Sequence, residues 1–226
     1  MPAWISKRTT EPMRKGGWIK VVVFCLGLAP LAWLGWLAGH GHLGANPIER
    51  ITHFTGDWTL RLIVATLAIT PLRKLAGIPA LIRYRRMIGL FAYFYGSLHF
   101  LTYIWLDKFF DLHDVAKDVT KRPFITLGFA AFVLLIPLAV TSTAGWIRRL
   151  GGKRWQRLHR LIYATAVLAV VHYYWLVKSD VRLPLFYGAL VALLLSYRLG
   201  AWLKGRRTRR STTAPSRPRQ PQPAIG

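Results

Sequence analysis

Two histidines carry the chemistry this sequence offers most directly. His99 lies 13 residues past the basic edge at Arg86, and His172 lies 12 residues past Arg160. Both belong to otherwise apolar runs, so at 1.5 Å rise per residue each reaches roughly 18–20 Å along a helix. With both helices starting from the same basic side, the two imidazoles come to nearly one depth. That is the geometry for two axial ligands on a single haem iron held between helices. Gly89, Ala92, Gly96 and His99 share one face at spacings of 3, 4 and 3, and Ile162, Thr165, Ala169 and His172 repeat the pattern. A flat macrocycle needs such shallow walls. The competing reading is that the small residues pack helix on helix and each imidazole bonds a neighbouring backbone.

The other ionisable residues are more equivocal. His159 lies about 20 Å below His172 along the same helix and is turned roughly 140° from it. It can ligate a second, inner haem, line a flavin or quinone site, or sit at the interface among Arg157 and Arg160. The matching level of the other helix holds Arg85 and Arg86, which cannot ligate iron, so an inner bis-His haem lacks an evident second ligand. Arg61 falls mid-way through an apolar segment, where it either snorkels to an interface or holds a haem propionate. His40, His42 and His53 lie in or beside a Gly-rich loop, and His113 among Asp107, Asp111 and Asp114 reads as solvated. No catalytic acid, base or nucleophile is expected.

The elements that must position these residues follow from composition. The chain has 226 residues, 53% of them apolar, yet it carries a formal charge of +24 from 32 Lys+Arg against 8 Asp+Glu. Mean hydropathy is +0.30. The apolar residues come in long runs, and ten Trp, nine Tyr and eleven Phe suit interfacial aromatic belts. One cysteine, Cys25, excludes an internal disulfide framework and any CxxC or CxxCH motif. A bilayer asks for roughly 20 apolar residues per helix, and six segments qualify: 21–38, 51–72, 87–106, 124–141, 161–177 and 184–202. The expected fold is an all-α membrane protein, a six-transmembrane-helix bundle over 21–202 with haem between the third and fifth spans. A basic segment, 1–20, precedes it and a disordered, basic, Pro-rich tail, 203–226, follows. The first span lacks an A-x-A-like cleavage site and is read as an anchor.

Charge sets the direction. One set of segments carries 24 of the 32 cations against a single acid, Glu11, whereas the opposite set balances seven cations with seven acids. The positive-inside rule then places both termini in the cytoplasm, so the basic charge reports topology rather than a nucleic-acid partner. No GxGxxG or Walker sequence is present, and the two dozen residues after the last span fall short of a domain. The expectation is a conductor that takes electrons from a separate donor and hands them to a separate acceptor.

Several stretches together carry a resemblance: HFTG (53–56), TPLR (70–73), RRMIG (85–89), SLH (97–99), KRPFITLG (121–128), TST (141–143), and 155–159 with His172. The chain resembles the MsrQ (YedZ) family of haem-binding membrane subunits of the bacterial methionine-sulfoxide reductase system, within the ferric-reductase-like transmembrane group. The resemblance runs from the second span to the fifth. It implies b-type haem, FMN, electrons from the quinone pool, the bacterial inner membrane, and delivery to a periplasmic molybdopterin reductase that repairs oxidised methionines in envelope proteins. It carries three family histidines onto His99, His159 and His172. The wider group's bis-haem oxidases have two histidines on the third span; here the inner of those positions falls near Arg85, so one firmly ligated haem is expected rather than two. Two other functions stay open on the residues: a ferric-reductase-like conductor fed by a separate cytosolic flavin reductase, and a haem-free transporter or membrane scaffold.

Overall fold

The computed structural model describes residues 17–177 and 179–212, and among these it contains helices and no strand. In chain order they are α1 (Gly17–Gly39), α2 (Pro47–Leu75), α3 (Arg85–Thr102), α4 (Leu112–Lys121) and α5 (Pro123–Val140). Then follow α6 (Ala144–Leu150), α7 (Gly152–Leu158), α8 (Leu161–Leu176) and α9 (Arg182–Thr212). A 3₁₀ turn, Pro79–Arg83, leads into α3, and a π-helical turn, Tyr103–Asp107, prolongs it.

Local chemistry sets several of these boundaries. Asn46 caps α2 by accepting from the Glu49 amide, and Pro47 supplies the first helical φ without needing a donor. Asp111 caps α4 through the His113 and Asp114 amides. Arg122 ends α4 and precedes α5 with an extended backbone (φ −114°, ψ 99°), the region that a following proline, here Pro123, favours.

The helices α2, α3, α5 and α8 surround a common core of Ile63, Leu67, Ala92, Leu135, Leu138, Ile162 and Ala166, to which α9 adds Val191. α9 lies against α8 and α2, while α1 packs on α3. In lipid every backbone group must be satisfied within the protein, and two prolines show how that is done. Pro71 lacks the N–H that would reach Leu67 O; Arg198 Nη2 donates to that carbonyl instead at 2.7 Å, and its Nη1 donates to Tyr163 Oη at 2.9 Å. Beside Pro30, Tyr95 inserts its hydroxyl into the α1 ladder: it accepts from Leu31 N at 3.1 Å and donates to Gly27 O at 2.8 Å. Tyr95 is fully buried, so this bond pair fastens α1 to the bundle.

Among the described residues four helices are long and apolar enough to cross a membrane: Gly17–Gly39, Arg85–Asp107, Pro123–Val140 and Arg182–Lys204. Of the six expected spans, the other two fall short of that measure for different reasons. α2 has 29 residues but carries Asp57 and Arg61 mid-way, whereas α8 has only 16 residues. The large apolar side chains of α1 and α9 face outward, Val21, Leu26 and Trp33 on one and Leu185, Phe186 and Leu193 on the other. In water such a surface would aggregate; it suits lipid. The protein is a multi-pass membrane protein. The tail expected to be disordered from 203 departs from that reading at its start, because α9 continues as helix through Thr212. Its remainder, 213–226, and residues 1–16 of the N-terminal segment lie outside the described residues.

Candidate functional site

The two histidines singled out by depth meet inside the bundle. The rings of His99, on α3, and His172, on α8, stand 6.3 Å apart between centroids with their planes at 73°. Each is held by the neighbouring helix in the same way. His99 Nδ1 bonds Thr52 O of α2 at 2.9 Å, and His172 Nδ1 bonds Phe124 O of α5 at 2.6 Å. A carbonyl only accepts, so Nδ1 carries the proton in both rings and Nε2 keeps its lone pair. Neither Nε2 makes a hydrogen bond among the described residues.

One turn beyond each carbonyl the facing helix has a glycine. A Cβ on Gly56 would stand 3.1 Å from His99 Cε1 and Nδ1, and one on Gly128 would stand 2.8 Å from the same atoms of His172. The rings therefore lie flat in grooves that only a missing side chain leaves open. Both line a cavity of about 540 Å³, in the ordinary range for cofactor sites. Its body is apolar, with Leu60, Ile63, Phe100, Ala131, Phe132 and Leu135, and polar side chains of Asn46, Glu49, His53, Asp57, Asp107 and Arg122 also line it, the last two at the α4 end.

That end is braced by an ion-pair lattice. Lys108 Nζ lies 2.6 Å from carboxylate oxygens of both Asp114 and Asp118, and Arg122 Nε lies 3.2 Å from the other Asp118 oxygen. Tyr103 donates its hydroxyl to Asp118 at 3.1 Å. The hydrogen bond from Lys108 draws the Asp118 carboxyl below the usual carboxylate range, and the bonds to Asp114 and Asp118 hold the Lys108 ammonium above the usual lysine range.

Arg61 is placed apart from this cavity. Its side chain pairs with Asp57 at 3.7 Å, meets Tyr187 Oη at 3.2 Å and lies over the Trp58 ring at 5.1 Å. His159 is also separate, at the opposite end of the bundle, where its ring stacks on Trp155 with centroids 3.8 Å apart. Its Nδ1 bonds Trp155 O at 3.1 Å, and the Leu138 backbone also acts on the ring. His113 lies in α4, outside the cavity lining. The sequence reading missed Gly56, Gly128, the carbonyls of Thr52 and Phe124, and Arg122.

Chemically, two imidazoles whose Nε2 atoms make no hydrogen bond among the described residues line one space. A metal–imidazole bond is about 2 Å and the nitrogen lies about 1 Å from its ring centre, so trans ligands put their centroids roughly 6 Å apart. The observed 6.3 Å matches that spacing. No group of three or more His, Cys, Asp or Glu among the described residues can hold a bare metal ion. The arrangement instead suits a metal whose equatorial ligands arrive with it, in a flat macrocycle between glycine-lined walls.

Residues 55–170 match the family described as ferric reductase like transmembrane component. The chain is 56% identical over 189 residues to a protein of Herminiimonas arsenicoxydans named protein-methionine-sulfoxide reductase heme-binding subunit MsrQ, covering 82% of this chain and 87% of that one. Proteins of the same name from Bordetella pertussis and Xanthomonas campestris pv. campestris (strain 8004) are 53% and 50% identical, over 84% and 88% of this chain and 93% and 95% of their own lengths. The chain belongs to the MsrQ family, within the ferric-reductase-like transmembrane group.

Proposed function

We propose that the protein is the haem b electron-transfer subunit of a methionine-sulfoxide reductase system, with His99 and His172 as the axial ligands. The observation that carries this reading is the pair of rings 6.3 Å apart, each with Nδ1 tied to a backbone carbonyl. In that arrangement the bound haem supplies one-electron exchange at its iron. The chain's own part is to fix both imidazoles in one tautomer, hold them at ligand spacing and surround them with apolar side chains that keep water out. The relatives' names, which specify a heme-binding subunit of a methionine-sulfoxide reductase, point the same way.

The six-span topology belongs to this reading, with α2 and α8 crossing alongside the four helices that meet the length and polarity measure. Asp57 and Arg61 pair with each other on α2, which lowers the cost of burying both. The cation excess places the His159 end and both termini on the cytoplasmic side of the bacterial inner membrane. The α4 end then faces the periplasm, where electrons leave for a molybdopterin-containing reductase that repairs oxidised envelope proteins. Electrons enter from the quinone pool, with FMN as the carrier that the family resemblance implies. His159, stacked on Trp155 at the end of the bundle away from the His99–His172 pair, is the residue offered for that entry site.

The test is a dithionite-reduced minus oxidised spectrum of the detergent-purified protein, with haem quantified per chain. One b-type haem per chain is expected, lost in His99→Ala and in His172→Ala; normal haem in both variants would overturn the ligand assignment. Reduction by a quinol faster than by a flavin reductase plus NADH supports the quinone donor. The reverse order transfers the role to a soluble flavin reductase.

A further inference from the structure

We infer that Arg122 anchors the propionate edge of the haem at the α4 end of the cavity. The inference rests on the haem reading above. A haem carries two carboxylates, and they must leave the apolar body of the site for its polar lining. Among the described residues Arg122 is the one Lys or Arg that lines the cavity. The other charged residues of the lining are acids, Glu49, Asp57 and Asp107, which repel a carboxylate. Among the described lining residues Arg122 is therefore the one permanently cationic side chain, with the imidazole of His53 among the other polar walls.

Arg122 is also held as an anchor should be. Its Nε faces Asp118 at 3.2 Å, and no hydrogen bond among the described residues uses either Nη, so the outer fork of the guanidinium is free for a carboxylate. Asp118 is buried and gripped from behind by Lys108 and Tyr103. The backbone of Arg122 is fixed between the end of α4 and Pro123. Two residues further on, Phe124 O holds His172. One short segment thus sets both an axial imidazole and the cation. Arg61, the other candidate, is outside the cavity lining and engaged by Asp57, Tyr187 and Trp58.

The test uses full-length holoprotein in detergent and follows haem transfer to excess apomyoglobin from the Soret band. Arg122→Gln should release haem roughly ten- to hundredfold faster, the range expected for a lost hydrogen bond to a charged group. Arg122→Lys should recover part of the difference, and Arg61→Gln should release at the wild-type rate. A second readout separates anchoring from general loosening. Refilled with haem dimethyl ester, which has no free carboxylates, wild type and Arg122→Gln should release at equal rates. Unchanged release of native haem in Arg122→Gln would overturn the inference, as would an equal acceleration for the ester or a defect confined to Arg61→Gln. Failure of wild type to bind haem would instead sink the reading on which the inference rests.

Discussion

Gly128→Ala is a small change with a calculable consequence. The new Cβ would stand 2.8 Å from His172 Cε1 and Nδ1 and 3.1 Å from Nε2. Ordinary contact begins near 3.4 Å, so the ring must retreat by about 0.6 Å. It cannot do so freely, because Nδ1 is bound to Phe124 O at 2.6 Å on the same turn of α5. Either the helices separate, at an overpacking cost of about 1–3 kcal/mol, or the ring swings and gives up a hydrogen bond worth about 1 kcal/mol. Falling on the ligated state, either cost, about 1–3 kcal/mol, becomes roughly five- to 150-fold in haem affinity. Haem titration followed at the Soret band measures this, and electron paramagnetic resonance should show low-spin iron giving way to high-spin as His172 is displaced. The other glycines supply a graded series. Gly56→Ala, at 3.1 Å from His99, should cost less; Gly96→Ala, at 3.4 Å from Thr59, less again; and Gly35→Ala, with nothing within 4 Å, should leave affinity unchanged. A Gly128→Ala protein that binds haem like Gly35→Ala, with the same spectrum, would refute the reasoning.

Other outcomes follow from the same contacts. Tyr95→Phe removes the hydroxyl that both accepts from Leu31 N and donates to Gly27 O, so it should lower stability by about 1–3 kcal/mol; a thermal melt in detergent that matches wild type would count against the α1 fastening. His159→Ala should leave the His99–His172 low-spin signal intact while slowing reduction by quinol, because its ring lies at the other end of the bundle; loss of that signal would contradict the separation. Acid should loosen α4. The Asp118 carboxyl titrates below its usual value because Lys108 bonds it, so its contribution is present above the ordinary carboxylate range of about 4 and is lost as pH falls through the lowered value. A fluorescent label on α4 should gain mobility only in that acid range, and Lys108→Met should shift the onset upward; the same onset in both would dismiss the ion-pair latch.

The histidine pair was legible because depth is a one-dimensional quantity. Counting from two basic edges on one side of the membrane needs no knowledge of how helices are arranged, and it brought His99 and His172 to one level. Rotation was legible only in part. Gly89, Ala92, Gly96 and His99 identify the inward face of α3, whereas α2 has no such run of small residues ending in an imidazole. At 100° per residue Arg61 falls about 140° from Gly56 and so off the face that carries Thr52, Gly56, Thr59 and Ile63. Those four line the cavity and Arg61 does not. The supporting carbonyls were illegible for a deeper reason. Which backbone oxygen meets His172 depends on α5 packing against α8 across two intervening short helices, and no local pattern states that pairing.

Yet the supports share a form that the motifs displayed. HFTG ends at Gly56, four residues after Thr52, and KRPFITLG ends at Gly128, four residues after Phe124. Each is a carbonyl and a bare helical turn presented to one imidazole: α2 serves His99 and α5 serves His172. Because the two supports are on separate helices, ring separation is governed by how α2 meets α3 and how α5 meets α8, not by any loop. Small residues allow such close approach in lipid, where apolar side chains gain little by leaving the solvent. The glycines therefore do two jobs that cannot be exchanged for a larger residue. They let the helices come near enough for a backbone carbonyl to reach Nδ1, and they leave room for each imidazole to lie against the facing helix.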